Sequence, residues 1–299
     1  MVEEKPNTEC EGNCSECASA ASCNDPKKEA SAGPAPKVEM DVKNVILVLS
    51  GKGGVGKTTV ATNLAMSLAN KGYQTGIADV DIHGPNIPKM LGIDKEKLSS
   101  IDGKHIDPVM VMGNLGVVSM AFLLPDATSP VIWRGPMKNN AIRQFLGDVN
   151  WGSLDFLVVD LPPGTGDEAL SVIQLAPNIA GAVIVTTPQE VAILDSSKSV
   201  KFIEKLDIKV LGIIENMSGF VCPHCGTVVD IFGRGGGEKA AEEFKVPYLG
   251  SIPLDLDMRI AGDEGKPFIV RREGSDQNKV TWQHVDKVME NILIQINKK

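Results

Sequence analysis

The sequence has no apolar run approaching the roughly 18 to 20 residues that cross a bilayer, and its acidic start lacks the charged-then-apolar layout of a secretory leader. It has no excess of positive charge: 30 Lys and Arg stand against 38 Asp and Glu, a formal charge of −8. That balance argues against bulk phosphate-backbone binding as the main activity. No segment recurs at a period of about 20 to 50 residues, which excludes a solenoid or propeller. No cysteine lies between Cys23 and Cys222; the six fall into a group of four, Cys10, Cys14, Cys17 and Cys23, and a late pair, Cys222 and Cys225. With no export signal, such clustering favours metal or redox chemistry over structural disulfides. The expectation is a cytoplasmic protein with neither membrane nor nucleic acid as partner.

What is there is a long, ordinary globular composition: 299 residues, 42% hydrophobic and 23% charged, enough for a large core. Residues 1–25 carry the four early cysteines and no periodic apolar pattern, so they form a metal-binding segment if they are ordered at all. Residues 26–41, containing "KKEASAGPAPKVEM", are predicted to be a flexible linker. From Asn44 onward, apolar runs ("NVILVLS", "TGIADVD", "FLVVDLP", "GAVIVTTP", "VLGIIENM", "YLGSIP") alternate with helical patterns near 56–71, 137–146, 168–176, 189–206 and 235–245. Val and Ile runs without strict alternation suit strands buried on both faces. Residues 42–299 are therefore expected to form one α/β domain, doubly wound around a mainly parallel sheet, behind a short irregular tail. The C-terminal "KVTWQHVDKVMENILIQINKK" has helical apolar spacing and mixed charge, which fits a helix packed on the domain better than a membrane-surface helix.

"SGKGGVGKTT" follows a strand and opens a helix. This is the context a P-loop needs: Gly51, Gly53, Gly54, Val55 and Gly56 turn backbone N–H groups toward phosphates, Lys57 reaches the β and γ oxygens, and Thr58, followed by Thr59, is placed for Mg²⁺. Such a loop needs a carboxylate at the end of a buried strand, and Asp160 closes "DFLVVD"; the following "LPPGTGD" can bring the Gly164 amide to a γ-phosphate. In "ADVDIHGPN", Asp79 and Asp81 alternate at i, i+2 on one strand face. One can touch the metal's water shell while the other orients an attacking water; turn-forming carboxylates are the alternative.

Lys52, a second lysine in "GKGGVGKT", together with "DVD" after the next strand, resembles the deviant Walker A ATPases, the group of MinD, the ParA-type partition proteins and the nitrogenase iron protein. The resemblance implies a P-loop NTPase fold, a homodimer through the nucleotide face, and ATP hydrolysis in which Lys52 crosses to the partner's nucleotide. It further implies that Asp81 activates water and that Asn216 of "IIENMSG" reads adenine, with the loop around Pro253 flanking the base.

"VCPHCG" supplies only two thiolates, half of a tetrahedral zinc or iron–sulfur site. A two-fold dimer would complete it, since Cys222 and Cys225 from each chain make four. "CPHC" just after the adenine asparagine, with "WRGPM" at 133–137 and "DLPPGTGDE" at 160–168, resembles the Mrp/ApbC iron–sulfur cluster carrier ATPases over about residues 40–295. The resemblance implies a labile [4Fe–4S] cluster bridged between subunits and passed to apoprotein clients. The flanks predict a hairpin at 219–232 with the cysteines at its tip and His224 turned to solvent, where backbone amides can reach sulfur. The last three of the N-terminal cysteines are spaced as in the ferredoxin-like segment of the family's cytosolic scaffold members, whose first spacing is longer; this implies a second cluster there. Sulfur ligands suit zinc as well, so a structural zinc site on a MinD- or ParA-like positioning switch is the alternative. Arg134 and Lys138 can serve the dimer interface or an acidic partner; equally, "PMKNNAIRQFL" reads as an amphipathic helix with an ordinary charged face.

Overall fold

The computed structural model describes residues 36–124, 135–269 and 279–298. The N-terminal cysteines, Trp133 and Arg134 lie outside them. A nine-stranded sheet runs in the order β3-β4-β2-β5-β1-β6-β7-β8, with β9 also paired to β7. The strands are β1 (Val42–Ser50), β2 (Thr75–Asp79), β3 (Val109–Val111), β4 (Leu115–Ser119), β5 (Leu154–Asp160), β6 (Ile179–Thr186), β7 (Val210–Val221), β8 (Val228–Val229) and β9 (Tyr248–Leu254). Pairing is parallel except for β3 against β4 and β8 against β7.

The strands lie between two apolar layers, which explains why their sequences do not alternate in polarity. Val45, Leu47 and Leu49 of β1 face one layer, and Ile46 and Val48 face the other. The first layer is covered by α3 (Gly135–Gly147), α4 (Asp167–Leu175), α5 (Glu190–Lys205) and α6 (Gly236–Phe244), which contribute Phe145, Val172, Ile203 and Ala240. The second is covered by α1 (Lys57–Asn70), α2 (Ile87–Leu91), α7 (Leu256–Glu264) and α8 (Lys279–Asn297), through Leu64, Ile87, Met258 and Val288. The doubly wound α/β expectation is met. No helix among the described residues is long and apolar enough to cross a membrane.

Parallel strands deliver their carboxyl ends to one edge of the sheet, the usual place for a ligand in this architecture. Ser50, Asp79, Asp160, Thr186 and Asn216 all arrive there, and register sets Asp160 directly beside both Val48 and Asp79. At the opposite end, the tail of the predicted linker is docked. Val38 N–H donates to the Leu175 carbonyl (2.9 Å), Leu154 N–H to the Asp41 carbonyl (2.8 Å), and Val38 and Met40 pack on the core. The linker boundary at residue 41 is thus corrected to before Val38, because two apolar side chains find a surface that composition alone does not reveal.

Candidate functional site

At Gly51 and Gly56 the loop between β1 and α1 is wedged against neighbours that leave no room for a side chain. A Cβ on Gly51 would lie 2.2 Å from the Asp195 backbone of α5. One on Gly56, whose φ is +82°, would lie 2.2 Å from the Asn216 amide nitrogen. Glycine at these two positions lets the loop close against α5 and Asn216, while a Cβ at Gly53 or Gly54 would meet nothing within 4 Å.

At the start of α1 the predicted residues converge. Lys57 is buried, with Nζ 2.6 Å from Asp160 Oδ1 and 3.9 Å from Asp81 Oδ2. The Thr58 hydroxyl donates to Asp160 Oδ2 (2.7 Å). Asp79 lies one strand over and accepts from the Ser119 hydroxyl (2.8 Å) and from the Ile87 and Asp81 backbone N–H groups (both 3.3 Å). Burial, and then the neighbouring Asp160, push the Asp79 carboxyl up to about 8. Burial also pushes Asp160 up, against the pull of Lys57 and Thr58. Three carboxylates around one ammonium form a site short of positive charge, and its oxygen donors suit a hard divalent cation.

Asn216, at the end of the regular part of β7, donates from Nδ2 to the Val55 carbonyl (2.9 Å), so here its amide holds the P-loop. Gly164 N–H donates to the Ser50 carbonyl (2.8 Å), placing the "PPGTG" loop beside the first residue of the cradle. Lys52 is partly exposed on the loop, where the Ser50 hydroxyl braces its carbonyl (3.0 Å).

The late cysteines sit at the turn of a hairpin in which Phe220 and Val221 pair with Val229 and Val228. Cys222 N–H donates to the Thr227 carbonyl and Gly226 N–H to the Cys222 carbonyl, both at 2.9 Å. The Cys225 thiol lies 3.2 Å from Thr227 Oγ1, and its hydrogen bonds with Thr227 hold it below the ordinary thiol range. Cys222 is half-buried; Cys225 and His224 are exposed. Among the described residues no third His, Cys, Asp or Glu joins Cys222 and Cys225 in a metal-holding group, so the described part of one chain brings two sulfurs to this tip.

Some contacts were not legible in the sequence. Lys138 of α3 bridges Glu168 of α4 (2.7 Å) and lies 3.1 Å from His83 Nε2, beside Asp81. Of the two readings of the 136–146 stretch, this favours neither fully, since Lys138 is committed within its own chain. Ser119, whose hydroxyl holds Asp79, is also buried at the site, and no motif marks it.

The model of the ParA-type NUBPL iron-transfer P-loop NTPases matches residues 41–292. The chain belongs to the NUBPL iron-transfer P-loop NTPase family. An iron–sulfur cluster carrier protein of Methanocaldococcus jannaschii is 50% identical over 285 residues, covering 94% of this chain and 98% of its own length. The cytosolic Fe-S cluster assembly factor CFD1 of Kluyveromyces lactis is 48% identical over 227 residues, covering 74% of this chain and 80% of its own. A nucleotide-binding protein of Archaeoglobus fulgidus, solved in complex with ADP, superposes with a TM-score of 0.66 at 40% identity, over 76% of this chain and 88% of the other. The resemblance carried by the loop, "DVD" and "CPHC" is therefore borne out at the level of family and fold. For a NUBPL-type NTPase the cradle, lysine, threonine and carboxylates at the strand ends fit a nucleotide with a divalent cation.

Proposed function

We propose that this chain is an ATP-dependent carrier that takes a [4Fe–4S] cluster as cargo and passes it to apoprotein clients, working as a homodimer in the cytoplasm. The observation that carries the proposal is a two-thiol hairpin built on the same strand whose Asn216 holds the P-loop. Half a ligand set at an exposed tip fits cargo that must leave, whereas storage would favour four ligands from one chain. Names of relatives near 50% identity support the carrier over a positioning switch with structural zinc.

In the proposed cycle, Lys57 leaves Asp160 for the β and γ oxygens of ATP, and residues 51–59 wrap its phosphates. Thr58, Asp79 and Asp160 hold the magnesium shell. Magnesium, when bound, neutralises charge developing between the β and γ phosphates. Asp81 orients the attacking water, the partner subunit's Lys52 stabilises charge at the transferred phosphoryl group, and Asn216 turns to adenine. Hydrolysis relaxes the interface that holds the cargo. Cys222 and Cys225 from both chains ligate the cluster on the two-fold axis, and Cys10, Cys14, Cys17 and Cys23 bind a second, more stable one.

Native mass spectrometry of anaerobic protein after reconstitution with iron and sulfide tests this. A dimer carrying a four-iron, four-sulfide unit that Cys222→Ala removes is expected. Zinc in its place, or metal on monomers that is indifferent to the substitution, would overturn the carrier reading in favour of the switch.

A further inference from the structure

Between Asn216 and Phe220, β7 leaves its regular course. Four steps along β7 oppose only two along β9, since Asn216 faces Ile252 and Phe220 faces Leu254. The excess is taken up as a bulge in which Met217 adopts φ +58° and Gly219 φ +73°. A left-handed methionine is sparsely populated and persists only when its surroundings hold it. Bulges of this kind re-aim a strand, and this one re-aims the arm carrying both cysteines.

Two neighbours before the bulge fasten it on opposite faces, as strand alternation requires. Asn216 holds the P-loop through Val55, and the Met217 methyl group lies 3.6 Å from where a Cβ on Gly56 would stand. Glu215 points the other way and is fully buried. Its Oε1 accepts from the Ser218 hydroxyl (2.5 Å) within the bulge and from Gly235 N–H (2.9 Å). Its Oε2 accepts from Gly237 N–H (2.5 Å) at the start of α6. One carboxylate thus ties the outgoing base of the cysteine hairpin to its return arm, one residue from the P-loop tether.

We propose that Glu215 is a positioning residue that latches the hairpin base through Ser218, Gly235 and Gly237, so that nucleotide at the P-loop re-sets the cysteine tip through the 216–219 bulge. The inference deepens the carrier reading and rests on it for its purpose. The physical link concerns this chain alone. When nucleotide draws Asn216 away from Val55, the strand end shifts. A hairpin latched to it moves as a body, whereas an unlatched one does not follow. Glutamine at 215 would set an N–H₂ group against backbone N–H donors and so break the latch while keeping its volume.

The test uses full-length, metal-free protein at a dilution where sedimentation shows monomers. Alkylation of Cys222 and Cys225 by iodoacetamide is followed by peptide mass spectrometry, with and without Mg-ADP. For the parent chain the rate is expected to change at least about fivefold on adding Mg-ADP, the low end of ordinary coupling between sites. In Glu215→Gln and in Ser218→Ala the ratio should fall to within about twofold of unity, with ADP affinity kept because neither residue touches the cradle. A parent chain whose thiols ignore Mg-ADP, or variants that keep the parent ratio, would overturn the latch. If Glu215→Gln does not fold, Ser218→Ala decides alone. Cluster loading is scored separately. A loaded carrier with unresponsive thiols sinks only the latch, and responsive thiols on a chain that never loads cluster sink only the carrier.

Discussion

Lys57 is held by the carboxylates it must leave. Its 2.6 Å bond to Asp160 neutralises part of a buried acidic cluster, and the nucleotide phosphates compete for the same ammonium. Burial raises Asp79 to about 8, far above its ordinary 3.8, so in the ligand-free protein the folded state keeps a proton that the unfolded chain releases. A carboxyl shifted this way favours the folded state fully below pH 3.8, and that contribution fades as pH rises toward 8. Asp79→Asn removes the titration. The melting temperature of the variant, relative to the parent, should therefore climb between about pH 4 and pH 8 in thermal scans without nucleotide. A difference flat across that range would show that Asp79 is already ionised when folded. Lys57→Met should lower the hydrolysis rate by about 100-fold or more, the loss seen when a charge-stabilising donor is removed, as a phosphate-release assay would read.

At the scale of elements, contact between the loop and α5 sets the cradle. Gly51→Ala would drive a methyl into the Asp195 backbone at 2.2 Å, and the expected cost is about 1–3 kcal/mol of stability together with weakened ADP binding, measurable by denaturant titration and calorimetry. A second joint ties α3 to α4. Burial tends to push Glu168 up, but the Lys138 hydrogen bond and charge outweigh it and hold the carboxyl below its ordinary 4.5. That contribution is present above pH 4.5 and is lost as pH falls through the lowered folded value. Lys138→Met should thus destabilise by about 1 kcal/mol at neutral pH, the gap closing in acid. The helices and strands that frame these joints were largely legible, since Val- and Ile-rich runs and glycine punctuation mark them directly. The short β3 and β4 escaped because Gly113 and Gly116 interrupt the apolar run that would announce them. α7 escaped although its signals were present: Asp255 caps Met258 N–H (2.9 Å), and Gly265 closes the helix at φ +66°. Lys138–Glu168 and the bonds of Glu215 to Gly235 and Gly237 join residues 20 to 30 apart in sequence, and nothing in a local pattern selects such partners.

For the whole molecule, the two halves of the proposed machine make different demands on symmetry. The P-loop, Lys57, Thr58, Asp81 and Asp160 meet within one chain, whereas the cysteine tip brings two thiols and Lys52 forms no ion pair among the described residues. If Lys52 acts across a two-fold interface, Lys52→Ala and Asp81→Asn impair different components of the same site. Each variant alone should be inactive. In a mixed dimer, the chain bearing Lys52→Ala keeps its own Asp81 and receives an intact lysine from its companion, so one of the two sites is whole. Random pairing in a one-to-one mixture makes half of the dimers mixed, each with one working site, and ATPase activity should return to about a quarter of the parent rate. A mixture as inactive as its parts would place Lys52 on its own nucleotide. The dimer would then be needed only to complete the thiol set, and hydrolysis would lose its direct grip on the interface that holds the cargo.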